Sequence, residues 1–126
     1  MAKVAIIRCE KNAEKCPMTN CLACLIGAEE GFSGYDSCTP VGVFTCRCPG
    51  DRTVELAGVL KAKGAEAIHF CTCAFASKSE QGWTSSNGGF CEHIDDIIEG
   101  VHKATGLKCV KGTAHLPGDY ALQVWA

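Results

Sequence analysis

The chain has 126 residues and a net charge of -2 with acidic and basic side chains well mixed, so it offers neither the basic patch of a nucleic-acid binder nor an acidic tail for a basic partner. That length suits one domain, 1–126, with a hydrophobic core of its own. Lys3 and Arg8 flank only four consecutive apolar residues, well short of a signal-peptide core, and no run approaches the roughly 18 apolar residues of a membrane helix; the expectation is a soluble, cytoplasmic protein with no membrane partner.

In chain order, Lys3 to Arg8 is a short β-branched apolar run that predicts a buried parallel strand. Cys21 to Glu30, preceded by the N-capping types Thr19 and Asn20, reads as a helix stopped at Gly31. Pro40 to Thr45 predicts the second strand. A second helix runs from an Asp51 cap to Lys63, with Val54, Ala57 and Leu60 on one face and Gly64 closing it. Ala65 to Phe70 is the third strand, and Ala76 to Gly89 a long polar loop. Glu92 to Thr105 is a third helix by its Ile94, Ile97, Ile98 and Val101 face, ended by Gly106, and Leu107 to Gly112 the fourth strand. The tail from Thr113 to Ala126 carries no clear signal.

Alternation of strand and helix implies right-handed crossovers and an α/β, three-layer Rossmann-like or flavodoxin-like domain with a mainly parallel sheet of about four strands in the order 2-1-3-4. Neither G-x-G-x-x-G nor G-x-x-x-x-G-K-[ST] is present, so the loops that cradle phosphates are missing and nucleotide binding is not expected.

Cysteine is the anomaly, at 11 residues. The odd count, the lack of an export signal and an apolar content sufficient for a core all argue against a disulfide framework. Soft thiolate ligation of metal is the commonest other use of so many thiols. Ligands of open α/β sheets bind beyond the carboxyl ends of the strands. Cys9, Cys46 with Cys48, and Cys71 with Cys73 follow strands one, two and three, and Cys91 and His93 stand at the start of the third helix. Cys16, Cys21 and His115 can reach the same edge. Cys24 and Cys109 read as packing residues, Cys38 belongs to the opposite edge, His69 reads as core and His102 as surface.

The expected cluster ligands are Cys9, Cys16, Cys21, Cys46, Cys48, Cys73 and Cys91, with Cys71, His93 and His115 as further metal candidates. Eight thiolates on one divalent ion would repel too strongly, so a polynuclear cluster, two sites, or ligands mixed with redox thiols is implied. Cys48, just before the second helix, is placed where a helix dipole favours an anion, and Arg8 and Arg47 adjoin ligand candidates. Trp83 and Phe90 can shield a cluster or anchor the loop.

The motifs I-I-R-C-E (Ile6 to Glu10), C-P-x-T-x-C (Cys16 to Cys21), C-P-G (Cys48 to Gly50), G-A-E-x-I-H (Gly64 to His69), C-x-H (Cys91 to His93) and G-T-x-H (Gly112 to His115) resemble the CGGC-domain family of prokaryotes along nearly the whole chain. The resemblance implies a metal-binding domain without naming the metal. The eponymous C-G-G-C is represented by Cys46-Arg47-Cys48, one residue shorter and without its glycines.

The leading expectation is an iron–sulfur protein, with zinc as the alternative metal, partnered by its metal or cluster and by a redox protein. The alternatives are an enzyme, a thiol–disulfide oxidoreductase using Cys46 and Cys48, and a carrier or sensor of soft metals.

Overall fold

The computed structural model describes all 126 residues. Strand β1 (Ala2–Cys9) alternates its burial: Val4 and Ile6 enter one apolar cluster while Ala5 and Ile7 enter another. A strand has period two, so this pattern requires packed layers on both faces. Around β1 the sheet is laid out as β2 (Cys38–Cys46), β1, β3 (Ala67–Phe70), β6 (Lys108–Lys111) and β7 (Gln123–Trp125). The first three pairings are parallel and only β6–β7 is antiparallel. The expected 2-1-3-4 order is present, extended by one edge strand from the tail, in a mixed α/β, three-layer arrangement.

Helix α1 (Glu10–Ala13) is a single turn after β1, and α2 (Thr19–Gly27) covers the Val4/Ile6 face with Leu25 and the neighbouring Phe32. Helices α3 (Thr53–Ala62) and α4 (Ile94–Thr105) cover the other face with Ala57, Leu60, Ile98 and Val101.

Several boundaries differ from expectation. Helix α2 ends at Gly27 because Ala28 adopts a left-handed conformation and its N–H closes the turn, leaving Glu30 in a separate 3-10 turn. Its N-cap is Met18, and neither Thr19 nor Asn20 caps it. Helix α3 starts at Thr53 after an Arg52 cap, so Asp51 does not cap it. Its buried face is Thr53, Ala57 and Leu60, and Val54 faces solvent. Strand β3 starts two residues later than expected and α4 starts at Ile94, after His93. The loop Ala76–Gly89 contains a hairpin of β4 (Ser77–Ser79) and β5 (Gly82–Thr84).

His69, in the middle of β3, is fully buried as expected. Its Nδ1–H donates to the Gly112 carbonyl at 3.0 Å, leaving Nε2 to accept the Tyr35 hydroxyl at 2.8 Å. Both ring nitrogens are satisfied in the neutral form, and Phe32 stacks on the ring at 4.2 Å. Burial drives the imidazole down to about 4. His102 is only half-buried, and its Nδ1 bonds the Leu107 carbonyl at 2.7 Å across the end of α4. No helix is long and apolar enough to cross a membrane.

Candidate functional site

The carboxyl ends of β1, β2 and β3 and the start of α4 bring eight cysteines to one edge of the sheet, where they divide between two cavities. The first has a volume of about 550 Å³ and is lined by Cys9, Cys46, Cys48, Cys91 and His93, with Ile7, Phe70 and Ile97 beneath them. The second, of about 110 Å³, is lined by Cys9, Cys16, Cys21, Cys71, Cys73 and His115. Arg8 and Cys9 line both, so the end of β1 is the wall between them. The one edge expected from the sequence thus holds two neighbouring groups, because β1 lies between β2 and β3 and its last residues stand between the loops on either side. All eleven cysteines are free thiols.

In the first cavity, the Thr53 hydroxyl donates to Cys46 Sγ at 3.1 Å. Thr53 opens α3, so it is Cys46, rather than Cys48, that meets the helix N-terminus. Cys48 lies five residues ahead of α3 and is exposed. Its backbone N–H donates to Glu10 Oε1 at 2.7 Å, and Glu10 also pairs with Arg47 at 3.8 Å. These bonds hold the Glu10 carboxyl below its ordinary value, the Cys48 N–H contributing most. They also tie the short Cys46-Arg47-Cys48 segment to α1. Arg47 is itself well exposed, with 78% of its side chain accessible. Gly50, at φ +89°, turns the chain beneath Ile97, where a β-carbon would come within 2.8 Å of Ile97 Cδ1.

Cys9 and Cys46 both have their thiols pushed up, first by burial and then by neighbouring sulfurs, Cys48 and Cys91 among them. Removing the Thr53 hydroxyl should remove the one bond that counters this at Cys46. Thr53→Val is therefore expected to cost about 1 kcal/mol of stability, read as a lowered urea midpoint with an unchanged slope.

Cys91 is positioned by backbone. Its N–H donates to the Ala74 carbonyl at 2.9 Å, and the Phe90 N–H to the Cys73 carbonyl at 3.0 Å. Lys11 Nζ donates to the Phe90 carbonyl at 3.2 Å, which sets a cation at the cavity mouth. Arg8 is a structural strut as well as a charge: it donates to the Cys16 carbonyl at 3.1 Å and to Thr45 Oγ1 at 3.4 Å.

In the second cavity Cys21, Cys71 and Cys73 share one lining. Cys21 is pulled to about 6, chiefly by Cys71, with help from the Thr113 hydroxyl, which lies 3.2 Å from its sulfur. Cys73 is also lowered, again chiefly by Cys71 and then by Asn12, whereas Cys71 is pushed well above the ordinary thiol range. His115 stacks on Trp83 at 5.0 Å and its Nε2 is 2.9 Å from Asn20 Nδ2, so that nitrogen accepts a bond that a metal would have to replace. Of the other thiols, Cys109 is fully buried and held up to about 12 by burial, Cys38 is buried at the far edge and Cys24 is half-buried beside α2's core face.

Tetrahedral thiolates about 2.3 Å from one zinc sit about 3.8 Å from each other. No three Cys, His, Asp or Glu side chains form a group that would hold a single ion. The four thiols of the first cavity are spread around its lining and do not close on one point. Lys11, Thr53, Asn12 and Thr113 were not legible as site residues. Thr113 was within reach, since it belongs to the G-T-x-H motif at Gly112 to His115.

The model of the CGGC domain matches residues 3–114, which takes in all eleven cysteines. The chain belongs to the CGGC-domain family, cysteine-rich domains to which metal binding is attributed. Neither the curated proteins nor the solved structures contain a significant match.

Proposed function

We propose that this chain is a cytoplasmic metal-binding domain spanning 1–126 that holds an iron–sulfur cluster in the first cavity, with Cys9, Cys46, Cys48 and Cys91 as its ligands. The observation that carries this reading is four free thiols around one cavity of about 550 Å³ at the carboxyl edge of the sheet. Thiolates placed together there repel, and burial opposes the ionisation of Cys9 and Cys46; a cationic iron group would remove both penalties, which is how metal binding and thiol deprotonation are linked. Lys11 and Arg8 would offset the residual negative charge, and His93, in the same lining, would donate to a cluster sulfur. Such a group supplies one-electron transfer, for which a redox protein is the expected partner. Zinc is the alternative metal, and a soft-metal carrier or sensor would use the same ligands.

Protein purified without oxygen should contain iron and acid-labile sulfide and show visible charge-transfer absorbance. Cys46→Ser and Cys91→Ser should each lose most of both. Zinc bound stoichiometrically, with no sulfide before or after anaerobic reconstitution with iron and sulfide, would overturn the iron–sulfur reading. The oxidoreductase reading based on Cys46 and Cys48 has less support, since burial opposes the ionisation of Cys46.

A further inference from the structure

We propose that the outward face of α2 is the surface through which two copies of this chain associate, the two helices packing antiparallel about a two-fold axis. This pairing is independent of what either cavity holds. Of the three helices longer than one turn, α2 alone carries no charged residue: Thr19–Gly27 reads TNCLACLIG, whereas α3 includes Glu55 and Lys61, and α4 includes Asp95, Asp96, Glu99 and Lys103. A helix without a charged face is ordinarily covered on all sides. Leu25 is nevertheless its only buried residue, while Ile26 is 72% exposed and Leu22 36%.

Leu22 and Ile26 stand four residues apart and so share one side of the helix. Ala23 and Gly27 are exposed as well, and residues that small leave room beside the apolar pair for a second backbone to approach. The exposed apolar side chains of α3, Val54 and Val59, share their helix with the Arg52–Glu55 pair and Lys61, as on an ordinary solvated surface.

Charge selects the occupant. The Glu29 N–H donates to the Cys24 carbonyl at 2.9 Å, so Glu29 and Glu30 follow directly on the last turn of α2, and that turn holds no basic residue. Carboxylates at the negative end of a helix dipole are unfavourable until a cation reaches them. Neither Glu29 nor Glu30 enters an ion pair. At the opposite end, Lys15 is exposed and equally unpaired, and it precedes the start of α2 by four residues, while Glu14 ends α1 one residue further away. An antiparallel pair brings the Lys15 end of each helix beside the Glu29–Glu30 end of the other, twice by symmetry, and sets the two dipoles in opposition. A parallel pair would place carboxylate beside carboxylate. A second copy therefore supplies both the apolar face and the cation that α2 lacks. Nine residues of helix span only about 14 Å, so the contact is small and the dimer is expected to be weak and concentration-dependent.

The test is sedimentation velocity of the full-length chain over about a hundredfold range of concentration, with reductant present so that no intermolecular disulfide contributes. The mass is expected to rise from that of one chain towards that of two. Ile26→Glu should raise the dissociation constant by at least about tenfold, whereas Val59→Glu, on the exposed side of α3, should leave it unchanged. Lys15→Glu should weaken association several-fold, and adding Glu30→Lys to it should restore most of the loss. Should Ile26→Glu fail to fold, carbodiimide cross-linking of isotopically light and heavy wild-type chains mixed together gives a second reading. The intermolecular product expected joins Lys15 of one copy to Glu29 or Glu30 of the other. A single-chain mass at every concentration, an Ile26→Glu dimer as tight as wild type, or intermolecular cross-links that leave out both ends of α2 would overturn the proposal. Iron and sulfide content does not enter these readings, so failure here and failure of the cluster reading are distinguishable.

Discussion

Gly89→Ala is expected to destabilise the protein by roughly 3 kcal/mol and to release Cys91 from the first cavity. A β-carbon at Gly89 would come within 2.4 Å of the Cys73 carbonyl oxygen and 2.6 Å of the Ala76 and Phe75 nitrogens. Backbone on three sides has no rotamer by which to yield, so the segment itself must move. The bonds from Phe90 to Cys73 and from Cys91 to Ala74 run through that contact and are lost with it. Urea denaturation measures the first effect. The second is measured by iodoacetamide labelling of Cys91, which should become several-fold faster. Gly34→Ala is the matched comparison, since a β-carbon there meets nothing within 4 Å, and it should leave both readings within about 0.5 kcal/mol of wild type. If Gly89→Ala behaves like Gly34→Ala, the close approach described here is wrong.

Acid should weaken the fold through His69. Its imidazole is held at about 4 by burial, against an ordinary value of 6.5. Between those values the unfolded chain binds a proton that the folded chain refuses, so stability rises with pH across that window and is lost as pH falls through it. The two values imply a loss of about 3 kcal/mol between neutral pH and pH 4 from this residue alone. Glu10 and Asp119, both lowered by backbone N–H bonds, act in the same direction at lower pH. His69→Gln is expected to be less stable at neutral pH, because Phe32 and Tyr35 lose their ring partner. Its urea midpoint should, however, vary much less between pH 7 and 4. An equally steep profile in the variant would remove His69 as the cause.

The fold was legible where local pattern and tertiary need coincide. Four β-branched or alternating segments and three helical faces sufficed for the parallel order of β2, β1, β3 and β6, because right-handed crossovers leave few alternatives. Helix boundaries were less legible because capping was carried by backbone: Ala28 in a left-handed turn and Arg52 ahead of Thr53 are not types that announce a cap. Strand β7 was hidden for another reason. Gln123–Trp125 forms only by pairing with β6, and three residues carry no period that could be read.

At the site, position along the strands correctly drew the cysteines to one edge, but sequence order does not say which side of β1 each loop will take. Cys48 was placed at a helix start because Cys48-Pro49-Gly50-Asp51 looks like one. The turn instead runs on to Arg52, and the helix end meets Cys46 through Thr53. Cys21 and Cys71, 50 positions apart with no shared motif, line one small cavity that only the folded chain reveals.

Cys9, the last residue of β1, borders both cavities, and its thiol is pushed up first by burial and then by Cys73 on one side and by Cys48 and Cys91 on the other. Charge placed in either compartment is therefore felt in its neighbour through one shared sulfur. Coupling free energy is reciprocal: whatever factor an occupant of the larger compartment imposes on the ionisation of the smaller one's thiols, ionising those thiols imposes on the affinity for that occupant. Cys9 stands in the lining of both compartments, so a substitution there alters the wall of each.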